Sequence, residues 1–431
     1  MIRLTAHLHA SCLSHVPPLK THPIATRHAD YHLRQAIASR ALSQKGVHHR
    51  AMDPNKQQPQ QELTRLVIIG DVHGAWSATA DLAALKLLNP SMCIFLGDFG
   101  NEDVELVSQV ASLELPKAVI LGNHDAWNTM TPRRLRQPPP PLPGETPAAP
   151  ANAVLEQLRL LGPSHVGFGA CQVPGDHHVS IVGARPFSRG GKYKETIRAF
   201  IAGLYEGIDS EEASAQKIVL CTQQEMARGN SVVLVSHNAP LGCGNDPWSI
   251  SGIDWTPGGG DHGDPDLRTA LDIMTEQGIK VPLVLCGHMH HRTQGGGHRR
   301  MVHMDTNGTL ILNAATVPRV RRAPAAAGQS PRKAVLPDSP EDPVTWRHFL
   351  CVDLQQGPSM GKVVSARDVW VAVSGPPQTL VAEVMQTQEL VRQREGQAGT
   401  NWELWDAHLQ RWSNVFIAEP KINDLSISSH L

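Results

Sequence analysis

Five short apolar runs in this chain of 431 residues end in the same kind of punctuation. Thr64–Gly70 (TRLVIIG) leads into Asp71-Val72-His73-Gly74, and Ser91–Gly97 (SMCIFLG) into Asp98. Lys117–Leu121 (KAVIL) leads into Gly122-Asn123-His124-Asp125. Ser231–Val235 (SVVLV) precedes Ser236-His237-Asn238, and Val281–Cys286 (VPLVLC) precedes Gly287-His288-Met289-His290. Each run reads as a buried strand, and each is closed by a small residue beside a side chain able to ligate a metal. Open α/β sheets gather ligands outside the carboxyl ends of their strands. Residues far apart in sequence can therefore converge on one site.

The segments between the runs support a parallel sheet. Helical spacing over Trp76–Leu88 and Val104–Leu113 gives a βαβαβ start. Further helices are predicted over Asn152–Leu161, 195–228 and 265–277, with a strand at Val179–Gly183 and a long Gly-rich loop over 238–264. Met301–Asp305, Thr309–Leu312, His348–Asp353 and Lys362–Val373 read as mostly antiparallel strands. Two Pro-rich stretches, near 132–151 and 321–345, read as insertions, because proline excludes helix and inner strand. Residues 376–431 read as a helical C-terminal extension. The main domain is thus expected over 64–375.

The N-terminus differs in composition. Residues 1–52 carry Arg3, Lys20, Arg27, Arg34, Arg40, Lys45 and Arg50 against Asp30 alone, a net +6 that leaves −7 for the rest of a chain whose total is −1. A basic, Ser-bearing, acid-poor start reads as an organellar transit peptide, followed by a polar linker at 53–63. The overall balance provides no global basic field for nucleic acid. No apolar run approaches the ~18 residues needed to cross a membrane. Seven cysteines, an odd number without a CxxC pair, read as mostly buried free thiols in a reducing compartment.

Each motif alone also reads as a turn or a helix cap; Asn and Asp favour such positions. All five together, in order and each at a strand end, read as a metal site. The order DxH, GD, GNHD, strand-then-His, GHxH resembles the calcineurin-like metallophosphoesterase superfamily. The phrases GDVHG, LGDFGNED, SHNAP and GDHGDPDL are similar to a branch found in cyanobacteria and plant plastids. The resemblance implies an α/β fold of four layers, two mixed β-sheets packed as a sandwich and flanked by helices. It also implies residue roles. Asp71, His73 and His290 bind a first metal, Asn123, His237 and His288 a second, and Asp98 bridges both. His124 is the acid or phosphate contact, and Asp125 orients it. Protein Ser/Thr phosphatases of the superfamily carry GDxxDRG. Here Gly97–Asp103 contains no Arg, which argues against that branch.

The chemistry agrees with these roles. Phosphate esters repel nucleophiles; two divalent ions about 3.5–4 Å apart neutralise that charge, and one lowers the pKa of a bound water to about 7. A metal-bound hydroxide then attacks the ester. Mixed His/Asp/Asn ligation suits Mn, Fe or Zn better than Mg or Ca. A neighbouring carboxylate can hold His124 protonated for acid catalysis. Asp305 and backbone carbonyls are candidates to fix the tautomers of the ligand histidines.

Less specific signals remain. Arg185, in Gly183-Ala184-Arg185-Pro186, follows a strand and reads either as a phosphate contact or as a surface salt bridge. The loop Trp248–Asp264, with His262, reads as a substrate wall or as an ordinary surface loop. The expected activity is hydrolysis of a small phosphorylated metabolite or nucleotide. A nuclease, a cyclic-nucleotide phosphodiesterase and a non-catalytic metal-binding scaffold are the alternatives. The resemblance and the N-terminus together suggest the plastid stroma, or else the mitochondrion. Oligomeric state has no signal in the sequence.

Overall fold

The computed structural model describes residues 63–130, 152–175, 178–323, 344–355, 362–396 and 399–418, all within one compact unit, Gln61–Leu431. The expected transit peptide, nearly all of the linker, the 132–151 insertion and most of the 321–345 insertion lie outside the described residues.

The first half alternates strand and helix: β1 (Leu63–Ile69), α1 (Ala78–Leu88), β2 (Met92–Phe95), α2 (Val104–Ala111) and β3 (Lys117–Val119). Local capping starts the helices; the Ser77 and Asp103 side chains accept from Ala80 N and Leu106 N. After α3 (Ala153–Leu161) and the short β4 (Ala170–Gln172) come β5 (Val179–Gly183), α4 (Glu195–Leu204) and α5 (Glu211–Ala227). Then follow β6 (Ser231–Val235), α6 (Pro265–Glu276), β7 (Leu283–Cys286), β8 (Val302–Met304), β9 (Leu310–Asn313) and β10 (Val320–Arg322). The chain closes with β11 (Val344–Gln355), β12 (Val363–Ser374), β13 (Val381–Glu389), β14 (Val391–Gly396), β15 (Gly399–Asp406) and β16 (Arg411–Ala418).

Two mixed sheets form. One runs β13-β12-β11-β1-β2-β3 with β10 beside β11, and the other β4-β5-β6-β7-β9-β8. Within them β1-β2-β3 and β5-β6-β7-β9 are parallel. The apolar runs are continuous because both faces of each strand are covered. Leu66 and Ile68 of β1 enter a core shared with Ile181 and Val233 of the other sheet. Val67 and Ile69 point the other way, into a core shared with Ala84 and Leu85 of α1. Val182 and Leu234 likewise join Ile218 of α5 and Leu271 of α6. Each fully buried Val, Leu or Ile contributes about 1.5–3 kcal/mol. The result is the expected sandwich of two mixed sheets flanked by helices.

The C-terminal expectation is corrected. The described part of 376–431 is strand, not helix. β13 pairs with β12 in antiparallel register, Trp370 opposite Gln386 and Val373 opposite Ala382. β14-β15-β16 form a separate antiparallel sheet that brings Trp402, Leu404, Trp405, Val415 and Ile417 against the inter-sheet core. Glu, Gln, Arg and Met in this segment favour helix only weakly, and an available sheet edge overrides that preference.

Candidate metal centre

The five motifs meet at the carboxyl ends of β1, β2, β3, β6 and β7, where local backbone geometry is unusual. His73, Asp98 and His288 adopt φ of 44°, 53° and 66°. Left-handed backbone at non-glycine residues costs of order 1 kcal/mol or more each, and it gathers where function requires it. The loops are locked together: His73 N donates to Asp98 O at 2.7 Å, and His288 N donates to Asp71 Oδ1 at 3.0 Å. Gly122 is required by contact, since a Cβ there would lie 2.4 Å from Asp98 Oδ1 and 2.5 Å from His237 Cε1.

Ligating atoms approach within 4.8 Å of one another in three overlapping groups: Asp71, His73 and His290; His73, Asp98 and His124; and Asp98, His237 and His288. Asp98 belongs to two sides at once. Its Oδ1 lies 3.3 Å from His237 Nε2, and its Oδ2 lies 3.8 Å from His73 Nε2. His237 Nδ1 donates to Leu96 O at 2.7 Å, which leaves a lone pair on Nε2. That lone pair faces Asn123 Oδ1 at 3.0 Å, acceptor against acceptor. His73 Nε2 and His290 Nε2 face each other at 3.1 Å. Asp71 Oδ2 is buried without a hydrogen-bond partner, 3.3 Å from His290 Nε2. Such a set of facing acceptors calls for cations between them.

The titration behaviour shows the same demand. Burial pulls His237 down, but Asp98 and Asp71 overcome it and push the imidazole up to about 10. Burial raises Asp71 and Asp98, yet the surrounding histidines hold both below the usual carboxylate range. Protons there stand in for metal charge. The donor set of imidazole, carboxylate and one carboxamide oxygen fits divalent transition ions. The His237 side is sealed at 0% exposure, whereas the His290 side chain is 41% exposed, so the site opens towards His73 and His290.

His124 reaches this site, but its supports are not those expected. The carboxylate of Asp125 accepts Gly122 N at 2.7 Å and Asp98 N and Phe99 N at 2.9 Å each. It braces the loop that carries Asp98, and among the described residues it makes no hydrogen bond to the His124 ring. Burial, together with Asp98, raises it to about 8 despite these amides. The partner of His124 Nδ1 is Asn101 Oδ1, at 2.6 Å. Trp127 stacks on the ring at 4.6 Å, and His73 meets it edge-on at 4.9 Å. Burial lowers the His124 pKa and Asp98 offsets only part of this, so the free protein does not hold the ring protonated at neutral pH. Asn101 was legible only as a letter in LGDFGNED; nothing in its spacing marks it as the partner of His124.

Arg185 is neither a phosphate contact nor a surface residue. It is 2% exposed, donates from Nε to Asp266 Oδ2 at 2.8 Å and pairs with Asp264 at 3.2 Å. Asp305 shapes a turn, accepting Asn307 N and Thr309 N, and touches no ligand histidine. His262, in contrast, does lie at the site. It stacks on His288 at 5.9 Å, meets Trp255 edge-on at 5.0 Å and donates from Nε2 to Arg189 O at 2.7 Å. Arg189 places its guanidinium 5.3 Å over Trp127, between the His124 and His262 sides. Among the described residues it has no carboxylate partner, and its Nε is buried without an acceptor.

An α/β sandwich whose parallel strands deliver His, Asp and Asn to one cation-demanding cluster is built to hold metal, and the family match makes that centre a phosphoesterase's. The chain belongs to the calcineurin-like phosphoesterase family, whose model matches residues 64–292. Its members are metal-dependent phosphoesterases. No curated protein matches the chain.

Proposed function

We propose that this phosphoesterase hydrolyses a small phosphorylated metabolite or nucleotide with two divalent transition ions, Mn, Fe or Zn. The observation that carries this reading is Asp98, whose two carboxylate oxygens face different ligand groups. Asp71, His73 and His290 would hold one ion, Asn123, His237 and His288 the other, and Asp98 would contribute to both. Two such ions, when bound, would supply charge neutralisation of the phosphoryl oxygens and a water acidic enough to ionise near neutral pH.

The rest is done by the chain's own side chains. Arg189, lacking a carboxylate, binds a non-bridging phosphate oxygen. His124 faces the ester with Nε2, because Nδ1 is committed to Asn101. The charge of an arriving phosphate raises the His124 pKa, so that Nε2 gains the proton needed by a departing alkoxide. Trp127, stacked on His124, and His262, stacked on His288, support the walls of the site. Elemental analysis of protein purified without chelator should find close to two ions per chain. Active protein with none would sink this reading.

The basic N-terminus and the branch resemblance support import into a plastid. A fluorescent protein fused behind residues 1–60 should enter that organelle, and purely cytosolic fluorescence would refute import.

A further inference from the structure

A cleft of about 240 Å³ opens one residue beyond the ligand His290. Its near wall is tied to that ligand, because Arg299 Nε donates to His290 O at 3.1 Å. Its floor is the inner face of the large sheet, past the end of the apolar core, where His348, Trp370 and Gln386 stand in register across β11, β12 and β13. Trp405 and Gln410 close the far side. Of the lining residues, only His291 and Arg292 fall within the family-matched segment. The cleft is therefore built largely by strands that follow that segment in the chain.

Its charge is unbalanced. Among the described residues, Arg292, Arg321 and His298 line it against one carboxylate, Asp368, which His348 already occupies at 3.1 Å. Arg299 is fully used: it donates to the carbonyls of Pro247, Ser249 and Gly252 and pairs with Asp254 at 3.2 Å. Arg321 is not. Its guanidinium lies 3.8 Å over Trp370 and 5.2 Å from the Trp346 ring centre. Among the described residues it has no carboxylate partner, and its Nε is buried without an acceptor. A cation drawn partly out of water needs a counter-charge, and contact with two indoles supplies only part of it. The rings hold the fork in one orientation, which suits paired hydrogen bonds to a planar or tetrahedral anion.

We propose that this cleft is an anion site that receives a second acidic group, carboxylate or phosphate, carried by the phosphoester substrate. The substrate assignment rests on the phosphoesterase reading; the anion site itself does not.

Two measurements on the metal-loaded full chain test it. In thermal melts, sulfate should raise Tm relative to chloride at matched ionic strength, and Arg321→Gln should lose that increment. This arm needs no hydrolysis, so it stands even if phosphoesterase activity is never found. In kinetics, ω-carboxyalkyl phosphates should show KM lower than plain alkyl phosphates of equal length, by roughly tenfold at the best length. Arg321→Gln should erase the difference while leaving KM for the alkyl phosphate unchanged. Arg292→Gln, at an exposed position, should reduce both effects and guards against misfolding of the first variant. A sulfate effect with no carboxylate advantage at any length overturns the substrate-linked role and assigns the site to a free anion. Melts and KM values indifferent to both substitutions overturn the site altogether.

Discussion

Asn101 Oδ1 lies 2.6 Å from Nδ1 of His124. A carboxamide oxygen only accepts, so the imidazole proton sits on Nδ1 and Nε2 is left as the free nitrogen of the ring. The relationship joins the loop after β2 to the loop after β3, and it makes Asn101 the residue that aims the ring.

Asn101→Ala should therefore retain both metals and lose roughly ten- to a hundredfold in kcat on alkyl phosphates. His124→Ala should lose more, roughly 100- to 10,000-fold, on the same esters. Both losses should shrink on a nitrophenyl ester, whose phenolate leaves without a proton. Equal losses on the two ester types, with metals retained, would make His124 a phosphate contact and not the acid.

Arg189→Ala should raise KM for nitrophenyl phosphate about tenfold or more, and weaken inhibition by inorganic phosphate in parallel. Arg189→Lys should recover part of both. Unchanged phosphate inhibition in the alanine variant would remove Arg189 from the site.

Asp98→Asn should lose metal and activity together, because it removes the charge between the two ligand groups. Gly122→Ala should do much the same without altering any ligand. Its Cβ would stand 2.4 Å from Asp98 Oδ1 and must displace that carboxylate or His237. Elemental analysis of folded protein reads both variants; a Gly122→Ala protein with full metal content would contradict the packing argument.

His165 supplies a pH dependence away from the metals. Burial holds its pKa at about 4, against 6.5 for an ordinary histidine, with its Nε2 2.9 Å from Tyr205 Oη. The unfolded chain binds this proton first, so stability is unaffected above about pH 6.5 and falls as pH drops towards about 4, by up to about 3 kcal/mol. Urea midpoints across that window should fall less steeply in His165→Gln than in the native protein.

Much of the centre was legible because its side chains follow strand ends, a position the apolar runs mark directly. The resemblance carried by their order named Asp71, His73, Asp98, Asn123, His237, His288 and His290, and the structure brings all seven to one cluster. Asn101, Trp127 and Arg189 could not be named that way, since each acts through a loop whose path depends on folded neighbours. Arg185 misled for the converse reason: it follows a strand, but its partners Asp264 and Asp266 lie some 80 residues on and bury it. The terminal strands were misread because an edge ladder leaves little period of its own in a polar sequence.

β1 pairs on one side with β2, and on the other with β11, Leu63 opposite Gln355 and Ile68 opposite Leu350. During synthesis, β1 thus waits with one flank bare until nearly three hundred further residues have been made. Long-range pairing of this kind slows folding and leaves an edge open to other chains. A chain stopped after residue 323 would carry all the ligands and still lack the strand that closes β1. It should aggregate, and light scattering of that truncation beside the full chain would show whether β11 acts as the latch on the whole assembly.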